Sequence, residues 1–151
     1  MRALVAPRLV VVDASLVAKW FLEEPFSDRA AAVAQHWAVN QTQPIAPRFM
    51  LTEVTNAIYK RVIRGLLPLE EAITAVEEAV RLRIAVDEDP PLHRDALLLA
   101  HRFGRPSTYD AHYLALAERE KSELWTGDER LYNAVHQSIP WIRWIGAYRP
   151  E

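Results

Sequence analysis

The sequence contains no cysteine, which excludes disulfide staples and thiolate metal sites from the outset. Its four glycines, Gly65, Gly104, Gly127 and Gly146, are too scattered to build a loop that cradles phosphate. No apolar run approaches the roughly 20 residues that a membrane-spanning helix needs. The opening stretch MRALVAPRLVVVDAS carries arginines but neither an uninterrupted apolar core nor a small-residue cleavage site. Secretion is therefore not expected, and the chain reads as cytoplasmic with no membrane role. A formal net charge of −2 excludes a blanket electrostatic grip on a polyanion, so contact with nucleic acid has to come from a local basic patch.

What is present is the balance of a globular protein: 50% hydrophobic and 25% charged residues in a chain of 151. That length suits one domain over residues 1–151, large enough to bury a core without staples. Short β-branched or apolar runs fall at 9–12, 44–47, 83–86, 123–126 and 141–145. Helical patterns fill the gaps, at 15–22, 28–40, 52–64, 69–82, 92–103, 108–120 and 128–135. Ser27 or Asp28 and Pro68 mark helix starts, while Gly65 and Gly104 sit where a helix-ending residue belongs. The alternation predicts an α/β fold with a parallel sheet.

The run RLVVVDAS, residues 8–15, is suited to a buried strand but ends on the carboxylate of Asp13. In parallel α/β sheets ligands gather beyond the carboxyl ends of the strands, which is where Asp13 falls. Three further acids are expected on the same edge. Glu53 lies in the first turn of the helix after the second strand, Asp110 opens the helix TYDAHYLALAE, and Asp128 follows the fourth strand in LWTGDERL. Each has an ordinary explanation, since a carboxylate in a helix's first turn caps free N–H groups. Two of the settings say more. Glu53, Asn56 and Lys60 align at i, i+3 and i+7 beside a buried stripe of Val54, Ile58 and Val62. The segment YDAHYLALA is apolar nearly all round, so Asp110 enters at the start of a buried helix and needs a partner.

Carboxylates gathered in one concave site raise one another's pKa unless a cation neutralises them. A hard divalent ion such as magnesium or manganese suits oxygen donors of this kind and, with a substrate phosphate, implies phosphodiester hydrolysis. At this point the motifs VVVDAS, TEVTNA, TYDAHYLALAE and LWTGDERL, in this order and spacing, resemble the PIN domain, and the whole chain is similar to single-domain ribonucleases of the VapC toxin type. The resemblance implies a three-layer α/β fold with a parallel five-stranded sheet flanked by helices. It implies Asp13, Glu53, Asp110 and Asp128 as the catalytic, metal-binding set for Mg2+ or Mn2+, supported by Ser15, Thr126 and Asn56. It further implies an RNA substrate, a homodimer and a cognate VapB-type antitoxin. Gly127 stands where the family often has alanine or another residue.

Lys19, one turn beyond Ser15, is expected to contact substrate phosphate. Lys60, Arg61 and Arg64, or Arg102 and Arg105, stand near the groove but read mainly as solvated surface charge. The five tryptophans read as packing residues before base-stacking ones. Rival enzymes fail at named positions. A dehalogenase-type phosphatase needs an acid where Ser15 stands, and a receiver domain needs an acidic pair where Asp13 is alone. The five histidines form no motif, and no G-x-S-x-G elbow exists. The remaining alternative is a non-catalytic RNA-binding or interaction module that keeps the fold.

Overall fold

The computed structural model describes residues 5–151; the first four residues of the stretch read above for a secretory leader lie outside the described residues. Among them are five parallel strands, β1 (Arg8–Val12), β2 (Thr42–Pro47), β3 (Ala85–Asp87), β4 (Glu123–Thr126) and β5 (Ile142–Trp144), in the order β3-β2-β1-β4-β5. The helices are α1 (Ala14–Ala18), α2 (Ser27–Val39), α3 (Met50–Ile63), α4 (Leu69–Val80), α5 (Pro91–Arg102), α6 (Tyr109–Glu120) and α7 (Glu129–Val135). Val10, Val11 and Val12 are all buried although alternate residues of a strand face opposite sides, so helices cover both faces of the sheet. The expected α/β architecture with a five-stranded parallel sheet is therefore observed. None of the described helices is long and apolar enough to cross a membrane.

Several boundaries differ from the sequence expectation by a residue or two, and two of the departures have a clear physical reason. The third strand begins at Ala85 and not at residue 83, because its neighbour carries Pro44, which has no N–H for the ladder. The Gln43 side chain substitutes there, donating Nε2 to Arg83 O and to Pro44 O, both at 2.8 Å. Helix α1 stops at Ala18, four residues early, and the chain turns through Lys19–Phe21. Trp20 Nε1 then donates to Ala30 O at 2.8 Å, tying that turn to α2. Ser27 does not cap α2: its hydroxyl donates to Leu22 O and accepts from Glu24 N.

The tryptophans pack as expected. Trp37 is buried and meets Trp20 and Trp125 edge to face, with ring centroids 6.4 and 5.7 Å apart.

The strand order places the functional edge. From β1 the chain proceeds on one side to β2 and β3, and on the other to β4 and β5, so direction reverses between β1 and β4. A crevice opens beyond the carboxyl ends of strands at such a reversal. Asp13 follows β1, Thr126 ends β4, and Asp13 N donates to Trp125 O at 3.2 Å across the junction.

Candidate active site

Asp13 is the N-cap of α1, and both of its oxygens are engaged. Oδ1 accepts from Leu16 N at 2.9 Å and from the Ser15 hydroxyl at 2.6 Å, while Oδ2 accepts from the Thr126 hydroxyl. Despite these three donors its pKa is pushed up to about 6, chiefly because the side chain is buried, with the charge of Asp110 adding to the effect. Burial therefore outweighs hydrogen bonding at this carboxylate.

Thr126 and Ser15 lock the neighbouring turn to it. Thr126 Oγ1 accepts from Asp128 N at 2.9 Å, and Ser15 Oγ accepts from Gly127 N at 2.9 Å. Here glycine is required by proximity: a Cβ on Gly127 would lie 2.7 Å from both Ser15 O and Lys19 Cε. Ser15 and Thr126 thus hydrogen-bond both the Asp13 carboxylate and the turn at Gly127, and Gly127 carries more weight than its place in the motif suggested.

Asp128 caps α7, its Oδ1 accepting from Arg130 N at 2.9 Å and Leu131 N at 3.3 Å. Glu53 projects from the first turn of α3 and is half-buried; Oε1 accepts from the Tyr113 hydroxyl at 2.7 Å. Its pKa is raised, first by burial and then by the charge of Asp110, while the Tyr113 hydrogen bond pulls it down. The Tyr113 hydroxyl is itself driven far upward by burial and by the neighbouring carboxylates Glu53 and Asp13, so it remains a donor. Asp110 opens α6, whose residues Ala111–Ala117 are all buried as the apolar pattern predicted. Its Oδ2 accepts from Arg105 Nη2 at 3.2 Å.

The four acids thus reach one edge of the sheet by different routes. The charge of Asp110 reaches both Asp13 and Glu53, and the backbone N of Asp128 donates to the Thr126 hydroxyl that also holds Asp13. Glu53, Asn56, Lys60 and Asp128 line a groove of about 730 Å³ together with Ser15, Lys19 and Arg130. The stripe of Glu53, Asn56 and Lys60 on α3 therefore faces the groove as the spacing indicated; none of the five histidines lines it.

A scan with family models matches the PIN domain over residues 10–136. The chain belongs to the PIN domain family. It is 34% identical over 125 residues to Ribonuclease VapC3 of Pyrobaculum aerophilum, covering 81% of this chain and 91% of that protein. Among solved structures, PAE2754 from Pyrobaculum aerophilum superposes with a TM-score of 0.64 at 23% identity, covering 85% of this chain and 87% of that one. VapC20 of Mycobacterium tuberculosis, described as a Sarcin-Ricin loop cleaving toxin, gives 0.62 at 17% identity, covering 83% and 95%. These two likenesses speak to the PIN fold alone.

In this PIN domain the donor set consists of hard carboxylate oxygens, the kind a divalent magnesium or manganese ion takes. The raised pKa values of Asp13 and Glu53 mark a place where positive charge is wanting. The expected convergence is nevertheless incomplete: among the described residues no three His, Asp or Glu side chains lie close enough to share one ion. Asp110 is turned to Arg105, and Asp128 Oδ1 is occupied by its helix cap.

The basic side chains around the groove have partners of their own. Lys19 lines the groove, but its ammonium donates to Pro25 O at 3.0 Å and lies 3.6 Å from Glu24, so it is anchored to its own loop. Arg61 likewise pairs with Glu24 at 2.9 Å. Arg105, grouped above with solvated charges, has a side chain only 15% exposed. Tyr113 was missed altogether, although a hydroxyl in a helix buried all round was the signal that a polar partner lay nearby.

Proposed function

We propose that this chain is a metal-dependent endoribonuclease, a phosphodiester hydrolase acting as the toxin of a VapBC-type toxin–antitoxin pair. The observation that carries the proposal is the buried Asp13 carboxylate, held by three donors yet raised in pKa by its burial and by the charge of Asp110, beside the groove that Glu53 and Asp128 line. Membership of the PIN family and the similarity to Ribonuclease VapC3 support the same reading. In it, Asp13, Glu53, Asp110 and Asp128 hold Mg2+ or Mn2+, which when bound supplies a Lewis acid for the scissile phosphate. The chain's own residues do the positioning. Ser15 and Thr126 fix the Asp13 carboxylate, Tyr113 fixes Glu53, and Asn56 and Lys60 offer an amide and a cation to a strand lying in the groove.

A protein partner is supported by apolar side chains left in solvent: Tyr59, Ile63, Leu66, Leu69 and Ile73 on and between α3 and α4, and Leu97, Leu98 and Tyr109 on α5 and α6. A second copy of the chain and a VapB-type antitoxin are the partners proposed for these faces.

The test is cleavage of structured RNA by the purified chain with magnesium, with manganese and with chelator, alongside Asp13→Asn and Asp110→Asn. Cleavage is expected to need the metal and to fall by about 100-fold or more in each variant, as for other positioned electrostatic groups. Cutting that survives chelator and both substitutions would refute the proposal. RNA binding with no cutting under any condition would return the chain to the non-catalytic module.

A further inference from the structure

The loop between α5 and α6 carries a cation into the acidic site. Gly104 adopts a left-handed backbone, φ +59°, which lets the chain fold back on the end of α5 with Arg105 N donating to Ala100 O at 2.9 Å. The side chain that follows is largely enclosed, at 15% exposure, and its Nη2 meets Asp110 Oδ2 at 3.2 Å. Its Nε is buried with no hydrogen-bond partner among the described residues. A guanidinium enclosed with a donor unmet is costly, and a purely structural ion pair would sit more cheaply at the surface. The carboxylate it holds is the one whose charge raises both Asp13 and Glu53. Among the described residues no three acids lie close enough to share one ion, and the Asp110 oxygen that meets Arg105 is Oδ2.

We infer that Arg105 is an internal competitor of the divalent ion: it holds Asp110 aside while the site is metal-free, and the ion takes Asp110 only in exchange for the guanidinium. The inference rests on the metal-nuclease reading above and adds to it a positioning residue that sets how readily the site loads. Its physical basis is simple. Asp110 Oδ2 cannot serve a guanidinium and a divalent ion at full strength together, because the two cations repel at that range. Apparent metal affinity is reduced by the fraction of molecules in which Asp110 is still paired. In the absence of metal the same pairing offsets part of the repulsion that Asp110 exerts on Asp13 and on Glu53.

Manganese binding to the full chain, followed by electron paramagnetic resonance of the free ion, measures this without reference to cleavage. Wild type, Arg105→Gln, Arg105→Lys and Asp13→Asn are titrated at one pH, each first checked by thermal melting. Arg105→Gln is expected to bind manganese about three- to tenfold more tightly, the range set by one partly exposed ion pair. Arg105→Lys, which keeps the charge but loses the planar fork, is expected between Arg105→Gln and wild type. Should Arg105→Gln fail to fold, the lysine variant alone decides. Affinity equal to or weaker than wild type in the deciding variant, with Asp13→Asn still weakening binding by about tenfold or more, overturns the competitor role and leaves the nuclease reading standing. Manganese binding indifferent to Asp13→Asn overturns the metal reading itself, and the role of Arg105 with it.

Discussion

Asp13→Asn separates the energetics of the site from its chemistry. The Asp13 pKa is raised from 3.8 to about 6, with burial the first cause. At about 1.36 kcal/mol per pKa unit, keeping this carboxylate ionised in the folded chain costs about 3 kcal/mol relative to its protonated form. The sign follows from proton counting. Between about pH 4 and pH 6 the native chain holds more protons than the unfolded one, so this contribution to stability declines as pH rises through that window and is level above it. Asparagine has no such dependence. It does lose one acceptor oxygen, which requires the Thr126 hydroxyl to turn and costs about 1 kcal/mol at every pH. The pH-dependent part is therefore the clean quantity. Urea unfolding of both chains at intervals from pH 4 to pH 8, with chelator present, should show the variant gaining on wild type by about 3 kcal/mol across the window. Added manganese should then stabilise wild type and leave the variant nearly unmoved. A stability difference that stays flat from pH 4 to pH 8 would mean that Asp13 is not an uncompensated buried charge, and the argument for a cation there would fall.

Gly127→Ala should lower stability by about 1–3 kcal/mol, since its Cβ would press on Ser15 O at 2.7 Å; an unchanged thermal midpoint would show that the turn is free to shift. Tyr113→Phe removes the hydroxyl that donates to Glu53 Oε1 at 2.7 Å and should cost about 1–2 kcal/mol on urea unfolding. Because that bond lowers the Glu53 pKa, its loss should also move the acid limb of the cleavage–pH profile to higher pH, and an unmoved limb would detach Glu53 from the reaction.

The parts of the fold that the sequence reveals are those dictated locally. VVV ahead of Asp13 and ELWT at 123–126 form strands as their apolar, β-favouring patterns indicated, and Gly65 and Gly104 end their helices with left-handed backbones as their positions indicated. The third strand was misplaced because its start depends on which residues of β2 lack an N–H, a property of the neighbour. In the site, each acid's position at a strand end or helix start is legible from periodicity, but the distance between side chains is not. Lys19 lines the groove beside Ser15, while the bond of its ammonium to Pro25 O comes from the turn after Ala18 and is not legible from spacing. Arg105 was illegible as a buried residue, because its enclosure comes from the Gly104 turn folding it against α6.

The capping explanation and the active-site explanation of these acids are not alternatives, and their energetics tell them apart. Asp13 and Asp128 both cap helices. A cap that serves stability alone gains from N–H donors and the helix dipole at little desolvation cost. Asp128 bonds two such donors through one oxygen at a partly exposed position, as a stabilising cap does. Asp13 departs from that pattern. Its three donors are overridden by burial, and the neighbouring charge of Asp110 raises it further. Serine would cap α1 without the desolvation, so a carboxylate at this position is a poor choice for stability. The choice becomes favourable once a doubly positive ion shares the crevice, because the same low-dielectric surroundings that penalise the lone anion strengthen its attraction to a cation.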